Sequence, residues 1–220
     1  MLKAIIFDFD GVILDTESAR YISWKEAFSW YGLELPVEEW LQYLGIPGTI
    51  FDAHAILEKK AGKKIDRDEL DSKRKPIFWE RNEKLEINPG IVDCLQKAEK
   101  DGIKVGIASS SRKQWVKDHL SRLKISKYFQ VLKNSDDVDN IKPAPDLYLK
   151  AMNELGVKNS QAIAIEDSFT GVEAAKNAGL FCVFVPNGLN KGLQAKKADL
   201  QLNSLADLDF DQLKEILLKK

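Results

Sequence analysis

The amino-acid sequence predicts an α/β fold, in which a doubly wound parallel sheet carries a second, helical domain inserted into it. Continuous apolar runs recur along the 220-residue chain, and segments with helical spacing separate them. A run that is apolar at every position is typical of a strand that helices cover on both faces. Because strands and helices alternate through the second part of the chain, we expect parallel strands joined by right-handed crossovers.

Four strands are predicted from these apolar runs. In chain order they cover Ala4 to Phe7, Ile103 to Ala108, Ala162 to Ile165 and Phe181 to Val185. Two of the intervening helices are indicated by apolar residues at helical spacing. These residues are Ile91, Cys94, Leu95 and Ala98 in one helix, and Tyr148, Ala151, Met152 and Leu155 in the other.

Residues 16–83 break this alternation and are predicted to form the inserted helical domain, while residues 1–15 and 84–220 form the core domain. The segment has helical patterns and turn residues but no run typical of a buried strand. The expected helices cover Glu17 to Tyr31, Ile50 to Ala61 and Arg67 to Glu83, and the expected turn is Gly45-Ile46-Pro47-Gly48.

The composition argues against several classes of protein. With 44% hydrophobic residues, 30% charged residues and a net charge of -1, the chain has no electrostatic attraction to nucleic acid or to acidic membranes. No stretch approaches the roughly 20 apolar residues that a membrane-spanning helix needs. The two cysteines, Cys94 and Cys182, lie far apart in apolar periodic sequence, which is typical of reduced core side chains. We therefore expect a cytoplasmic protein, monomeric by default, that binds a small molecule.

Two aspartates follow the first predicted strand. Asp8 and Asp10 lie where open α/β sheets place their ligand crevice, and their spacing lets both carboxylates face the same side. Because carboxylates so close together repel, either a divalent metal ion neutralises them or one of them holds a proton at a raised pKa. Aspartates at strand ends also cap helices, so the pair by itself leaves a chemical and a structural interpretation open.

Four motifs in order along the chain carry a resemblance to a known family. They are Asp8-Phe9-Asp10-Gly11-Val12-Ile13-Leu14-Asp15-Thr16, Ile107-Ala108-Ser109-Ser110, Lys142-Pro143-Ala144-Pro145-Asp146 and Ile165-Glu166-Asp167-Ser168. Together they resemble the signatures of the haloacid dehalogenase superfamily, and in particular of its phosphatases with a helical cap after the first strand. The resemblance implies a Rossmann-like core, with residues 16–83 as the cap domain.

The resemblance also implies a role for each matching residue. Asp8 matches the nucleophile that forms an aspartyl-phosphate intermediate, and Asp10 matches the general acid and base. Phosphoryl oxygens carry negative charge throughout such a reaction, so Lys142 and the hydroxyl of Ser109 are suitable donors to them.

A magnesium site is part of the same implication. Asp8, the backbone carbonyl of Asp10 and Asp167, helped by Glu166, would supply the hard oxygen ligands that Mg²⁺ prefers. Thr16 is a candidate substrate ligand that could hydrogen-bond near this site, and capping of the helix that follows it is the alternative.

Within the superfamily the chain looks most similar to the β-phosphoglucomutase-like group, from which it departs in two places. Arg20 stands where the mutase has a histidine. The cap turn Leu44-Gly45-Ile46-Pro47-Gly48-Thr49 lacks the arginine with which the mutase binds a second phosphate. We therefore predict a phosphatase for a small, sugar-phosphate-like monoester, with a sugar phosphate mutase as the alternative. Lys75 is a candidate phosphate ligand, although a solvated helix face is the other interpretation of its basic segment.

Other readings of the sequence are less well matched. A non-catalytic protein that binds a phosphorylated ligand is a further alternative, but every expected catalytic position is filled. A dehalogenase would need neither magnesium nor Asp10 as an acid.

His54 and His119 lie in helical patterns without partner spacing, so packing or surface roles are expected for them. Trp24 and Trp79 are expected to pack the inserted helices or to line a substrate pocket.

Overall fold

A computed structural model describes residues 1–43, 52–186 and 188–218 of the chain. In this part the strands are β1 (Ala4–Phe7), β2 (Lys104–Ala108), β3 (Val131–Lys133), β4 (Ala162–Glu166), β5 (Phe181–Phe184) and β6 (Leu200–Gln201). They form one parallel sheet in the spatial order β3-β2-β1-β4-β5-β6. This is the order of the doubly wound Rossmann sheet, and it confirms the predicted fold class.

The first strand lies at the centre of the sheet. Ile6 of β1 pairs with Gly106 of β2 on one side and with Ala164 of β4 on the other. The strands that the sequence did not predict, β3 and β6, have only three and two residues and lie at the two edges. Such short segments carry too few apolar residues to give a recognisable run.

Helices cover the sheet on both faces. In the described part of the chain they are α1 (Thr16–Ser29), α2 (Val37–Tyr43), α3 (Ala53–Ala61), α4 (Arg67–Glu83), α5 (Ile91–Lys100), α6 (Lys113–Arg122), α7 (Asp146–Leu155), α8 (Phe169–Asn177) and α9 (Phe210–Leu218). Alternate residues of β1 point to opposite faces, as the pleat of a strand requires. Ile5 belongs to the apolar cluster beneath α5, α6 and α9, and Ile6 to the cluster beneath α7 and α8. Burial on both faces explains why the runs are apolar at every position.

In the described part of the segment between β1 and α5, the helices α1 to α4 pack around an apolar cluster of their own. Trp24 of α1 lies in this cluster, and its ring is 4.3 Å from the guanidinium carbon of Arg74 on α4. The helix predicted over Arg67 to Glu83 has those bounds, and α1 begins one residue earlier than predicted. The short helix α2 was not predicted. Ile50, the turn at residues 45–48 and the cap turn at residues 44–49 lie outside the described residues.

Two further features concern the cysteines and the lengths of the helices. Cys94 and Cys182 are both buried and unpaired. Among the helices of the described ranges, none combines the length and the apolar character needed to cross a bilayer.

Candidate active site

The carboxyl ends of three adjacent strands converge on one cavity. Asp8 directly follows β1, Ser109 directly follows β2, and Glu166 is the last residue of β4. Because β1 is flanked by β2 and β4, the chain changes direction across the sheet here, and open α/β sheets place their ligand crevice at such a point. The cavity holds about 330 Å³. Its lining residues are Asp8, Asp10, Glu17, Arg20, Ser109, Ser110, Ser111, Lys142, Asp167, Ser168 and Thr170.

The loop after β1 fixes where the two aspartates lie. The backbone N–H of Asp8 donates to the carbonyl of Ile165 at 2.9 Å, which continues the pairing between β1 and β4. The side-chain amide of Asn88 donates to the carbonyls of Gly11 and Val12, at 3.0 and 2.9 Å. The turn is therefore tied to the segment where the chain returns from the inserted helices to the core.

Lys142 connects two carboxylates at and behind the wall of the cavity. Its Nζ lies 2.5 Å from Oδ1 of Asp8 and 2.7 Å from Oε1 of Glu166. The hydroxyl of Tyr148 donates to the same Glu166 oxygen at 2.5 Å. All four side chains are largely removed from water, so their charge interactions are screened little.

Burial changes the protonation of this cluster. It raises the pKa of Asp8 from 3.8 to about 7, although the nearby Lys142 ammonium acts in the opposite direction. It also raises the pKa of Asp167 well above its usual range, and the neighbouring charges of Asp8 and Glu166 add to the effect. Burial alone would lower the pKa of Lys142, but the charges of Asp8 and Glu166 outweigh it and raise this pKa. With Lys142 as a cation, the cluster has one positive charge against three carboxyl groups.

The donor set fits a divalent cation. Within the described ranges, Asp8, Glu166 and Asp167 each offer a carboxylate oxygen, and these oxygens lie within 4.8 Å of one another. A single lysine does not neutralise three ionised carboxylates, so a divalent ion with oxygen ligands would balance the charge. Gly11 makes room for this arrangement, because a Cβ atom there would lie 1.9 Å from Oδ2 of Asp167 and the residue has φ of +93°. Hard, buried carboxylate ligands are those expected for a magnesium-type ion.

Three donors hold the carboxylate of Asp10. Oδ1 accepts hydrogen bonds from the Thr16 hydroxyl at 2.8 Å and from the Trp115 indole N–H at 3.0 Å. Oδ2 accepts from the Ser111 hydroxyl at 2.5 Å. The alternative interpretation of Thr16 as a helix cap is wrong, because the side chain of Asp15 caps α1 by accepting from the backbone N–H of Ser18.

The remaining predicted phosphate ligands lie in different surroundings. Ser109 is buried at the cavity wall, and its hydroxyl oxygen accepts from the backbone N–H of Ser111 at 3.0 Å. Lys75 is 57% exposed in its side chain and forms an ion pair with Asp71 at 3.1 Å. It lines a second cavity on the side of the inserted helices, and binding of phosphate by Lys75 stays a prediction.

This second cavity holds about 340 Å³ and adjoins the first, since Arg20 and Ser111 line both. Its walls are aromatic and basic, and they contain Trp24 and Trp79, the two tryptophans predicted to pack or to line a pocket. The full lining is Arg20, Trp24, Arg74, Lys75, Phe78, Trp79, Ser111, Arg112 and Trp115. The two histidines pack as expected: His119 is buried, and His54 bonds to Asp71 at 3.2 Å.

Several residues of the site were missed by sequence reasoning. Ser111 and Trp115 contact Asp10 from more than 100 positions away in the chain. Glu17 lines the first cavity beside Arg20, and its Oε1 lies 3.4 Å from the guanidinium nitrogen Nη1 of Arg20. Its other carboxylate oxygen, Oε2, is buried without a hydrogen-bond partner from the described residues. Burial raises the pKa of Glu17, against the attraction of Arg20. The three consecutive serines at 109–111 were the one local signal for Ser111, and nothing local marked Trp115 or Glu17.

The fold and the site together define an α/β protein whose sheet carries buried carboxylates paired with a lysine at its ligand crevice. The sequence profile of the haloacid dehalogenase-like hydrolases matches residues 5–185. The chain therefore belongs to the haloacid dehalogenase-like hydrolase family, as its motifs predicted.

Individual relatives cover nearly the whole chain. YhcW of Bacillus subtilis, provisionally named a phosphatase, is 40% identical over 210 residues, which are 96% of this chain and 95% of YhcW. A protein of Thermotoga maritima named phosphorylated carbohydrates phosphatase is 31% identical over 220 residues, 98% of each chain. Among solved structures, the β-phosphoglucomutase of Clostridium difficile superposes with a TM-score of 0.71 at 26% identity, covering 100% of this chain and 98% of its own.

Proposed function

We propose that the chain is a magnesium-dependent phosphatase that hydrolyses a small, sugar-phosphate-like monoester through an aspartyl-phosphate on Asp8. The observation that carries this proposal is the buried contact between Asp8 and Lys142 at the wall of a cavity that also contains Asp10, Ser109 and Asp167. The names of the B. subtilis and T. maritima relatives support phosphate esters, and that of the second supports a carbohydrate leaving group.

The chemistry requires a nucleophile and a proton donor on opposite sides of the same P–O bond. A carboxylate oxygen of Asp8 forms a bond to phosphorus while the bond to the leaving oxygen breaks, and Asp10 gives that oxygen a proton. Water then attacks phosphorus and loses a proton to Asp10, which releases phosphate and restores the carboxylate of Asp8. Hydrogen bonds to both oxygens of Asp10 keep it beside the cavity in which these steps occur.

Charge balance explains the other residues. Phosphoryl oxygens are negative throughout, and Lys142 and Ser109, which both line the first cavity, are the proposed donors to them. Asp8, Asp167, the backbone carbonyl of Asp10 and, in part, Glu166 would hold Mg²⁺, which would supply the positive charge that lets a carboxylate approach a phosphate. Lys142 and Tyr148 both hydrogen-bond to Glu166. Glu166 would therefore position the lysine as well as contribute to the metal site.

Residues 16–83 act in this proposal as a cap domain over a core of residues 1–15 and 84–220. The leaving group would occupy the second cavity, between α4 of the cap and α6 of the core. Closing a cap over the site excludes bulk water and selects the leaving group. We further propose a monomer in the cytoplasm, where buried, unpaired thiols such as Cys94 and Cys182 stay reduced.

A mutase is the second candidate, favoured by the similarity to the C. difficile β-phosphoglucomutase. Both reactions share the aspartyl-phosphate and differ only in the acceptor, which is water in one and a sugar hydroxyl in the other. Arg20 at the position of the mutase histidine favours water.

The nucleophile is tested with Asp8→Asn, which should abolish hydrolysis of p-nitrophenyl phosphate while the protein stays folded. Asp139→Asn is the matched control, because Asp139 is exposed and the same carboxylate-to-amide change there should leave activity as in wild type. Chelation should stop turnover, and added Mg²⁺ should restore it. Persistent hydrolysis by Asp8→Asn, or by the chelated wild type, would overturn the assignment.

Phosphatase and mutase are separated by their products. The protein is incubated with β-glucose 1-phosphate and a trace of bisphosphate, and free phosphate and glucose 6-phosphate are both measured. The proposal expects phosphate release. Rapid formation of glucose 6-phosphate without free phosphate would establish the mutase instead.

A further inference from the structure

We propose that Trp115 is a positioning residue for Asp10: its indole N–H fixes Oδ1 as an acceptor and thereby turns Oδ2 toward the leaving group. The direct observation is the 3.0 Å hydrogen bond from Nε1 of Trp115 to Oδ1 of Asp10. The inference rests on the proposed function, because it takes Asp10 to be the proton donor.

The three donors around Asp10 are not equivalent. An indole N–H can only donate, whereas the hydroxyls of Thr16 and Ser111 can donate or accept. An oxygen that faces the indole N–H therefore has to stay an acceptor, and a proton on the carboxyl group is directed to the other oxygen. That oxygen, Oδ2, contacts Ser111, whose hydroxyl can turn and accept. Ser111 lines both the first cavity and the adjoining one, so the residue that contacts Oδ2 is shared by the two cavities.

Packing fixes the indole itself. The ring of Trp115 stacks on Phe78 with centroids 5.9 Å apart and an interplanar angle of 16°, and the centroid of Trp79 is 5.6 Å away. The ring centroid of His119 lies 4.2 Å from that of Trp115, and Nδ1 of His119 bonds to the carbonyl of Trp115 at 2.8 Å. These three ring neighbours leave the indole little freedom to rotate.

These contacts come from two parts of the chain. Phe78 and Trp79 belong to α4 of the inserted helices, whereas Trp115 and His119 belong to α6. The orientation of Asp10 is thus held by a side chain that packs against both units. The proton donor is correctly aimed only while α4 rests against α6.

The test compares leaving groups. Departure of p-nitrophenolate needs no proton, because this anion is stable, whereas departure of phenolate from phenyl phosphate is helped by one. The ratio of kcat/KM for the two aryl phosphates reports on proton donation, since kcat/KM includes no step after the aspartyl-phosphate forms. Trp115→Phe keeps an aromatic ring in the stack but removes the N–H group together with part of the ring system.

The expected result is a fall of about tenfold in kcat/KM for phenyl phosphate, with p-nitrophenyl phosphate changed by less than about twofold. A general acid contributes about 10²–10⁴-fold, and a misdirected acid loses part of that factor. Trp115→Met, which also lacks the N–H group but fills space flexibly, should give the same change in ratio if the Phe variant folds poorly. Trp30→Phe is the matched control, because Trp30 lies at an exposed end of α1 away from both cavities.

An equal fall for both substrates in the two Trp115 variants would show a merely structural role and overturn the proposal, as would no change for either substrate. A wild-type protein that hydrolyses neither aryl phosphate would refute the proposed function itself, and this inference with it.

Discussion

The replacement Asp8→Asn is expected to stabilise the metal-free protein at pH 8, even though it removes the proposed nucleophile. The pKa of Asp8 is raised from 3.8 to about 7 in the folded chain, chiefly by burial. Between these values the folded state holds a proton that the unfolded state has already lost. Stability therefore falls as pH rises from about 4 to about 7, and it levels off above the folded-state pKa.

The size of this effect follows from the shift. One pKa unit corresponds to about 1.4 kcal/mol, so a shift of about three units lowers the free energy of unfolding by about 4 kcal/mol at pH 8. An uncharged Asn resembles the protonated Asp8, so the variant should match wild type near pH 4 and exceed it above pH 7. For a chain of this length such a difference raises Tm by about 10 °C.

The assay is thermal unfolding in a chelator between pH 4 and pH 8, with Asp139→Asn as the control for a carboxylate-to-amide change at an exposed position. Saturating Mg²⁺ should reverse the ranking, because the ion binds the folded wild type and stabilises it by mass action. Asp167 also has a raised pKa, so the free energy of unfolding of the variant still falls with pH, but less steeply than that of wild type. If metal-free wild type holds the same stability from pH 4 to pH 7, or if Asp8→Asn shows the wild-type slope, the reasoning about burial is refuted.

Two further replacements test the same cluster. Lys142→Met should lower the free energy of unfolding at pH 8 by about 3 kcal/mol or more in the metal-free protein and reduce kcat by at least about 100-fold. Both effects are expected because the change leaves buried carboxylates without their cation. Denaturant unfolding measures the first effect and phosphate release the second, and a wild-type value for either one contradicts the assignment. Gly11→Ala should abolish Mg²⁺ binding measured by calorimetry, because its Cβ would lie 1.9 Å from Oδ2 of Asp167 and its φ of +93° disfavours a side chain. An unchanged affinity for Mg²⁺ would contradict the close approach of Gly11 to Asp167.

The apolar runs were enough to predict the centre of the sheet because strands buried on both faces need no polar face. The runs at β1, β2, β4 and β5 were each predicted to within one residue at either end. Edge strands are partly exposed and short, so β3 and β6 gave no such signal. The helix α4 was equally readable, since Asp66 caps it by accepting from the backbone N–H groups of Asp68 and Glu69.

Site residues were predictable where chemistry and a strand end coincide. Asp8, Ser109 and Asp167 each lie within a residue of the end of a strand, and the parallel sheet brings such ends to one edge. Lys75 shows the limit of this reasoning. A basic residue on a helix has no strand end to place it, and the structure pairs it with Asp71 beside the second cavity.

The sequence by itself determined the class of fold, the family and the residues proposed to carry the chemistry. These depend on periodicity and on motifs that span only a few positions each. Only the tertiary structure decided how those residues are held. The bonds that orient Asp10 join it to Ser111 and Trp115 across 101 and 105 positions of the chain. The burial that raises the pKa of Asp8 depends on every element packed around it. Such contacts form only when separate strands and helices meet, so no local pattern in the sequence records them.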